Sequence, residues 1–362
     1  MDGGNIFLTL LEKLAPEGVP GWVLALTAAG VGIGILVGFV SVLVMFAVWL
    51  ERKVSGHIQC RYGPMYAGGW HGWAQSIADG VKLLAKEDLI PLGADKPLFV
   101  LAPALMLAAI FGALAAMPLS PSVYFTNLNL GLFAILAMSS MTTIGVVMAG
   151  WASNSKWALY GSMREAAQVV AYEIPFGIAL LVPIMVIGTL NLGEASALQS
   201  GWYGMHWVIF QNPFVLPAFI IFFVAALAET KRAPFDLPES ESELVAGFMT
   251  EYSGIRWSFF FLEEYAAMFL MSVVAAIFFM GGFESPLTHF ARESFGAGSI
   301  VHEAVAGVTL LLKAMFSIFL MMWLRWTLPR VRIDQVMSMG YKYLTPLALV
   351  CVLGAGIWEV IL

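Results

Sequence analysis

Long runs of apolar residues dominate this chain, and polar residues collect in the stretches between them. A helix needs about 20 residues at 1.5 Å each to cross the hydrocarbon core of a membrane. Eight apolar spans of about this length or longer cover approximately residues 22–50, 98–118, 128–150, 166–190, 213–231, 255–282, 304–326 and 343–362. Open sheets cannot cross lipid, and the periodicity is not that of barrel strands. We therefore predict an all-α polytopic membrane protein, with residues 1–362 forming a single integral membrane domain of eight transmembrane helices.

The long connection 51–97 contains a helical pattern of its own. Between Trp73 and Ala85 the apolar residues share one helical face, and the charged residues lie elsewhere on the wheel. The apolar set is Trp73, Ile77, Val81 and Leu84, and the charged set is Asp79, Lys82 and Lys86. This pattern predicts an amphipathic helix lying at the membrane surface.

Composition supports the membrane assignment and argues against a redox group on this chain. The 362 residues are 60% hydrophobic and 12% charged, whereas a soluble domain carries about 25% charged residues. The two cysteines, Cys60 and Cys351, are far apart in sequence and cannot hold an iron–sulfur cluster alone. The five histidines avoid the middle of the apolar spans. We therefore expect no metal or redox cofactor to be bound by this chain alone.

The basic residues predict the orientation. Connections after spans 1, 3, 5 and 7, with their helix ends, hold 15 of the 18 Lys and Arg residues. They are Arg52, Lys53, Arg61, Lys82, Lys86, Lys96, Lys156, Arg164, Lys231, Arg232, Arg256, Arg325, Arg330, Arg332 and Lys342. The positive-inside rule then places these connections in the cytoplasm and both termini outside. Residues 1–20 lack a basic stretch before an apolar core, so no cleavable signal peptide is expected.

Four acids lie within or at the ends of the spans 166–190, 213–231 and 255–282: Glu173, Glu229, Glu263 and Glu264. A charge at such a depth costs about 2.5–3.5 kcal/mol on insertion scales, so each acid should face protein or water. Burial would raise carboxylate pKa values, which suits proton exchange. A single acid of this kind has an equally good structural explanation, but four of them favour a proton or ion pathway. Lys313, also within a span, is either a counter-ion for a pathway or a buried partner of one of these acids.

The stretch 228–253 gathers six acids with only Lys231 and Arg232 to offset them. The acids are Glu229, Asp236, Glu239, Glu241, Glu243 and Glu251. Pro234 and Pro238 prevent a continuous helix after span 5, and Pro238 fits the first turn of a short new helix. Acids in a first turn also favour the helix dipole, so Glu239 and Glu241 have a purely structural explanation.

The segment ERKVSGHIQCRYGP, residues 51–64, places basic residues at the inner end of the first span. Arg52 and Lys53 are explained by topology alone, whereas Arg61 precedes the Gly63-Pro64 turn. A groove with basic, aromatic and apolar linings beside the surface helix would suit an amphipathic, lipid-soluble ligand.

At these residues the chain resembles a known family. The segments are ERKVSGHIQCRYGP, ADGVKLLAKEDLIP, GWASNSKWALYGSMREAAQVVAYEIP, AETKRAPFDLPESESELVAGFMTEYSGIRW and LRWTLPRVRIDQVMSMGYKYLTPLAL. They resemble, in this order, the H subunit of bacterial NADH:quinone oxidoreductase, which is subunit 1 of respiratory complex I. The resemblance covers about residues 45–350. Membrane subunits of related [NiFe] hydrogenases, plastid-type enzymes and F420H2 dehydrogenases are the nearest alternatives.

The resemblance implies a role for each motif. Members of this family have eight transmembrane helices, anchor a hydrophilic redox arm, form much of a quinone chamber and start a chain of acids. Carried onto this sequence, the quinone chamber involves Arg52, Arg61, Asp79, Lys82, Glu239, Glu241 and Glu243. The proton pathway involves Asp236, Glu251, Glu229, Glu173, Glu264 and Glu263. Their charge partners would be Arg232, Arg325 and Arg330.

The resemblance also implies the surroundings of the chain. It would be a non-redox subunit of a proton-translocating translocase in the bacterial inner membrane, with FMN and iron–sulfur clusters on partner subunits. Quinone, such as ubiquinone, would be the substrate. The partners would be hydrophilic quinone-module subunits, small membrane subunits, antiporter-like subunits and membrane lipid, and no nucleic acid. Rival interpretations are a stand-alone cation/proton antiporter and a purely structural membrane anchor.

Some positions depart from the usual family pattern. Met65 follows Gly63-Pro64 where Asn is common, and Glu165 follows Arg164 where a small residue is frequent. The third span has Ser139 and Ser140 where some members keep an acid. Proton passage near that point would then need water or another acid.

Overall fold

A computed structural model describes residues 20–238 and 241–361, except the side chains of residues 202, 241 and 242. Eight long helices, numbered α1–α8, are Gly21–Ile58, Lys96–Ala115, Gly131–Ala152, Lys156–Ile187, Val215–Glu229, Gly254–Phe279, Ile300–Thr327 and Thr345–Ile361. Shorter helical segments are Trp70–Gly72, Gln75–Ala85, Leu192–Ala197, Gly201–Gly204, Val208–Gln211, Glu241–Leu244, Gly247–Met249, Pro286–Phe295, Ile333–Ser338 and Met339–Leu344. Within the described ranges the only β-type pairing is one isolated bridge between Pro118 and Tyr124. The all-α prediction is confirmed.

Seven helices in the described part of the chain are long and apolar enough to cross a membrane. The last of these is Ile333–Ile361, in which α8 continues two shorter helical segments. The exception is α5, which has 15 residues and so extends only about 22 Å at 1.5 Å per residue. Eight helices therefore follow one another as predicted, but crossing of the membrane by all eight stays a prediction.

Two helices extend well beyond the apolar spans that the sequence predicted. Helix α1 continues to Ile58 rather than ending near residue 50, and α4 begins at Lys156 rather than near residue 166. A hydropathy pattern stops at the first charged residues, whereas a helix continues when those residues find partners. Glu51 and Glu165 therefore lie inside helices, and both are buried.

Helix α6 is the centre of the bundle. In the most apolar 18-residue segment of α6, 83% of the residues are buried, whereas in the corresponding segments of the other six candidate spans 22–44% are buried. It packs against α1, α2, α5 and α7. Polar residues on α6 therefore face protein rather than lipid, which matters for Glu263 and Glu264.

The predicted amphipathic helix is present as Gln75–Ala85 and packs on α1 and α6. Ser76 Oγ donates a hydrogen bond to the Met45 carbonyl oxygen over 2.8 Å, which fixes the helix against α1. The chain itself leaves the apolar face uncovered, since Trp73, Val81 and Leu84 are all exposed. An uncovered apolar face suits a membrane surface, although the position of this helix at the membrane stays a prediction.

Candidate functional site

The loop after α5 turns back into the bundle instead of running over the surface. Gln168 of α4 donates hydrogen bonds from Nε2 to the carbonyl oxygens of Ala228 and Phe235, over 2.7 and 2.9 Å. Lys231 adopts a left-handed backbone with φ of 58°. Because the chain reverses here, the side chains of Lys231 and Arg232 are both buried.

Arg232 joins two carboxylates from different helices. Its Nη1 lies 2.7 Å from Glu51 Oε2, and its Nε lies 2.6 Å from Glu264 Oε1. Its guanidinium carbon lies 4.2 Å from the centre of the Tyr265 ring. Glu51 also accepts from Arg325 Nη1 and from the Tyr265 hydroxyl, each over 2.6 Å. Burial lowers the pKa of Arg232, but the Glu264 carboxylate, Tyr265 and Glu51 together outweigh burial and raise that pKa well above its ordinary value.

Lys231 also lies between two carboxylates. Its Nζ is 2.7 Å from Glu165 Oε1 on α4 and 3.3 Å from Glu263 Oε2 on α6. The same ammonium lies 5.6 Å from the centre of the Phe248 ring. Two consecutive cations of the loop thus face two consecutive acids of α6, with Lys231 paired to Glu263 and Arg232 paired to Glu264.

Asp236 lines a pocket at the C-terminal end of α7. This pocket has a volume of about 410 Å³, and its lining includes Asp236, Trp257, Arg325 and Arg330. Arg330 Nη2 lies 3.0 Å from Asp236 Oδ2. Burial raises the pKa of Asp236, and the positive charges of Arg330 and Arg325 oppose that rise without cancelling it. We call this cavity the inner pocket.

A second cavity lies between α1, the helix Gln75–Ala85 and the start of α6. It has a volume of about 280 Å³ and is lined by Arg52, Asp79, Lys82 and Trp257, among others. Arg52 Nη1 is 2.5 Å from Asp79 Oδ2, and Lys82 Nζ is 3.7 Å from Asp79 Oδ1. Three residues predicted for a quinone chamber therefore meet here. We call this cavity the access groove, and Trp257 borders both it and the inner pocket.

A pair of acids lies where α3, α4 and α5 meet. The Glu229 carboxyl interacts with Glu173 and with the hydroxyl of Ser139, which donates its hydrogen bond to the Leu136 carbonyl oxygen. Glu229 Oε2 is buried without a hydrogen-bond partner in the described ranges. Glu173 lies in the middle of α4 and is exposed on the surface of the chain. Ser139 thus contributes a polar group beside Glu229.

The remaining predicted residues do not join these groups. Arg61 is exposed and donates from Nε to Gln59 Oε1 over 2.6 Å. Glu243 is exposed and pairs with Arg164 Nη1 at 2.5 Å. Glu251 is half-buried in the loop before α6. Glu239 and the side chain of Glu241 lie outside the described residues.

Lys313 does not pair with Glu173, Glu229, Glu263 or Glu264, and a counter-ion role for it in a pathway stays a prediction. Its Nζ donates to the carbonyl oxygens of Met280, Gly282 and Glu284 over 2.6, 2.9 and 2.7 Å. It also lies 4.6 Å from the centre of the Trp207 ring. The ammonium therefore satisfies carbonyls at the C-terminal end of α6, far along that helix from Glu263 and Glu264.

Five residues of the site were missed: Glu51, Glu165, Lys231, Tyr265 and Gln168. Glu51 stands next to Arg52 at the end of an apolar span. The positive-inside rule explains basic residues at this position but makes no prediction for an acid beside them. Glu165 and Gln168 are three apart in a helix, which puts them on one face. That spacing was the available signal, but it did not say which face was buried.

The sequence matches a known protein family along most of its length. A profile of the family described as NADH dehydrogenase matches residues 31–355. The chain belongs to the NADH dehydrogenase family. Its relatives in this family include the H subunit of NADH-quinone oxidoreductase from Chlorobium luteolum, 44% identical over 98% of this chain and 94% of the relative. The protein of the same name from Geobacillus sp. is 43% identical over 94% of this chain and 96% of its own length.

A third relative comes from another bacterium. The protein of the same name from Anaeromyxobacter dehalogenans is 42% identical over 94% of this chain and 83% of its own length. These homologues are membrane subunits of complex I, an oxidoreductase. Together with the seven candidate spans of the described part, they make the chain a multi-pass membrane protein of this family.

Proposed function

We propose that this chain is a non-redox membrane subunit of a proton-translocating NADH-quinone oxidoreductase. In this role it anchors the hydrophilic redox arm, admits quinone from the membrane and starts a proton pathway through buried carboxylates. The proposal rests on the family, whose relatives are named as the H subunit of NADH-quinone oxidoreductase, and on how the two cavities meet the buried charges.

One observation supports the proposal above the others, namely that Trp257 borders both the access groove and the inner pocket. The groove opens beside the amphipathic helix, and its lining is largely apolar with Arg52, Asp79 and Lys82 as polar groups. An apolar cavity with a few convergent polar groups suits a molecule with a long apolar tail and a polar ring. In the inner pocket behind Trp257, Asp236 and Arg330 would then lie beside the quinone ring.

The redox chemistry belongs to partners in this proposal. FMN and iron–sulfur clusters lie on hydrophilic subunits, and this chain contributes the wall of the chamber. The connections after α1, α5 and α7 would dock that arm, because ion pairs such as Glu51–Arg232 and Glu51–Arg325 bring them together at one end. The basic residues predict that this end is cytoplasmic, with both termini outside the inner membrane.

The proton pathway begins at the inner pocket. A reduced quinone needs protons, and loss of a proton from Asp236 leaves a negative charge beside Arg330 and Arg325. Opposite charges within about 4–6 Å shift carboxylate pKa values by one to three units. Since Arg325 also pairs with Glu51, a change at Asp236 alters the balance of the buried pairs. Groups coupled in this way titrate as a set.

The pathway leaves the chain at Glu229 and Glu173. Glu173 is exposed in the middle of a candidate membrane span, and a charged side chain at that depth is costly in lipid. We infer that this face of α4 contacts a small membrane subunit or water that leads toward antiporter-like subunits. Glu229, beside Glu173 and Ser139, links that face to the interior.

The test is proton pumping by the purified complex in liposomes, with NADH as donor and a short-tailed ubiquinone as acceptor. Glu229→Gln and Glu264→Gln should each reduce protons pumped per NADH oxidised, with electron transfer retained. Glu293→Gln, on an exposed site of the helix Pro286–Phe295, is the matched control and should pump normally. Pumping at the wild-type ratio in the Glu229→Gln/Glu264→Gln double variant would falsify the pathway. If nickel co-purifies with the complex and inhibitors of the quinone site have no effect on its activity, the chain belongs to a hydrogenase. If the purified chain alone transports cations or protons in liposomes, it is an antiporter.

A further inference from the structure

The ion pairs around Lys231 and Arg232 contain one carboxylate more than they contain cations. The acids are Glu51, Glu165, Glu263 and Glu264, and the cations are Lys231, Arg232 and Arg325. Four carboxylates against three cations leave a net charge of −1 if every group is ionised. All four acids and two of the cations are buried, so water does little to screen the excess charge.

The excess does not lie at Arg232. Glu51 accepts hydrogen bonds from Arg232, Arg325 and Tyr265, which favours its ionised form. Glu264 lies 2.6 Å from Arg232 Nε. This half of the network therefore pairs two guanidinium groups with two carboxylates and is balanced.

The excess lies at Lys231, where one ammonium faces the two carboxylates of Glu165 and Glu263. Lys231, Glu263 and Glu264 act on the Glu165 carboxyl, and Lys231 and Glu264 act on the Glu263 carboxyl. Glu165 is fully buried, at 0% exposure. Its Oε2 atom has no hydrogen-bond partner among the described residues, so it has a vacant position for a proton.

Two carboxylates that share a site do not both ionise readily. A single proton between them gives one carboxylic acid, one carboxylate and one ammonium, with a net charge of zero. Loss of that proton returns the group to a net charge of −1. Full ionisation would instead bury a charge that has no counter-ion, and a group in that position takes up a proton.

We propose that Glu165, Lys231 and Glu263 form a proton-holding site in which the two carboxylates share one exchangeable proton beside a single ammonium. Glu263 was already assigned to the proton pathway, whereas Glu165 and Lys231 gain a role here. Because Lys231 and Glu263 are sequence neighbours of Arg232 and Glu264, charge changes at the Arg232 pairs act on this proton. The inference rests on the proposed function for the use of the proton, but the occupancy of the site is a separate claim.

Infrared difference spectroscopy of the whole membrane-embedded complex, in water and in heavy water, tests the occupancy. Glu165→Gln and Glu263→Gln should each assemble, since each leaves one carboxylate for one ammonium. Each should abolish the same deuterium-sensitive carboxylic acid band, and the double variant should abolish no further band. Lys231→Met should add a second such band, because both acids then lack a counter-ion. Glu293→Gln, an exposed acid, should leave the bands unchanged.

Three results would overturn the proposal. Persistence of the band in both single variants would place the proton elsewhere. Loss of a different band in each single variant would show two independent acids rather than a shared proton. Failure of both single variants to assemble, with Glu293→Gln assembling normally, would show that both carboxylates are needed in ionised form. None of these outcomes depends on proton pumping, so the band assay can fail or succeed independently of the pumping assay of the proposed function.

Discussion

Glu51 and Arg232 are 181 residues apart in the chain, and their side chains meet over 2.7 Å in the interior of the bundle. The pair ties α1 to the loop after α5, and Arg325 extends it to α7 through the other oxygen of Glu51. The connections that carry most of the basic residues are thereby held together at one end of the molecule. A single buried carboxylate thus organises the surface on which the redox arm is proposed to dock.

Replacement of Glu51 tests that organising role. Glu51→Gln should leave Arg232 and Arg325 with one fewer carboxylate, and breaking a buried pair costs about 3–5 kcal/mol. The complex should assemble poorly or lose activity at a lower temperature, as measured by native electrophoresis and by thermal inactivation of NADH-quinone reductase activity. Glu359→Gln, which alters a hydrogen bond with Asn212 near the end of α8, is the control. Equal heat resistance of the Glu51 and Glu359 variants would contradict the role.

Replacement of Gln168 tests whether the buried loop must be held from α4. Gln168→Leu removes the donor for the carbonyl oxygens of Ala228 and Phe235, at a cost of about 1–3 kcal/mol for each buried group left unpaired. We expect a higher KM for quinone and faster proteolysis within residues 230–253. The matched control is Gln199→Leu, because Gln199 bonds the Ala195 and Ile277 carbonyls in the same way. That variant should lose stability without a change in quinone KM, and a similar KM change in both would oppose the assignment.

The pKa of Asp236 predicts a dependence on pH. Burial raises this pKa above its ordinary value, so the folded state favours the protonated acid. The resulting stabilisation is present at pH values below the ordinary pKa and is lost as pH rises through the raised one. Asp236→Asn, which stays neutral, should therefore match or exceed the thermal stability of the wild type at neutral pH, and this difference should vanish in acid.

Arg330→Met gives the complementary measurement. Arg330 opposes the rise in the pKa of Asp236, so its removal should move the pH profile of quinone reduction further toward alkaline pH. Asp334→Asn, at an exposed site near Arg330 in sequence, is the control and should leave the profile in place. A shift toward acid pH in Arg330→Met would show that the sign of the coupling is wrong.

Lys313 is expected to act on stability rather than on proton transfer. Lys313→Met removes the donor for three carbonyl oxygens at the end of α6. Each buried carbonyl oxygen left without a donor destabilises the folded state by about 1–3 kcal/mol. The variant should lower the temperature of inactivation of the complex. Protons pumped per NADH, measured on the protein that remains folded, should equal the wild-type value. A lower ratio would return Lys313 to the proton pathway.

The hydrophobic pattern determined the helical class, the order of the eight helices and the amphipathic helix. A long apolar segment avoids water, and in lipid it must form its backbone hydrogen bonds within a helix, so the local sequence is enough to predict it. The distribution of basic residues predicted which connections lie at one end, and the ion pairs of Glu51 with Arg232 and Arg325 agree with that grouping. Arg52, Asp79 and Lys82, grouped together from the sequence, also lie together in the structure.

The tertiary structure alone decided which charges pair. From the sequence, Glu51 had no assigned role and Glu165 was marked only as a variation from the family pattern, yet both are buried partners of the loop cations. The sequence allowed Lys313 to be either a counter-ion of a pathway or a buried partner of an acid, and the structure shows backbone carbonyls as its partners. The physical reason is that the energy of a charge in a membrane protein depends on the groups within a few ångströms of it. Those groups come from helices far apart in sequence, so no local pattern contains them.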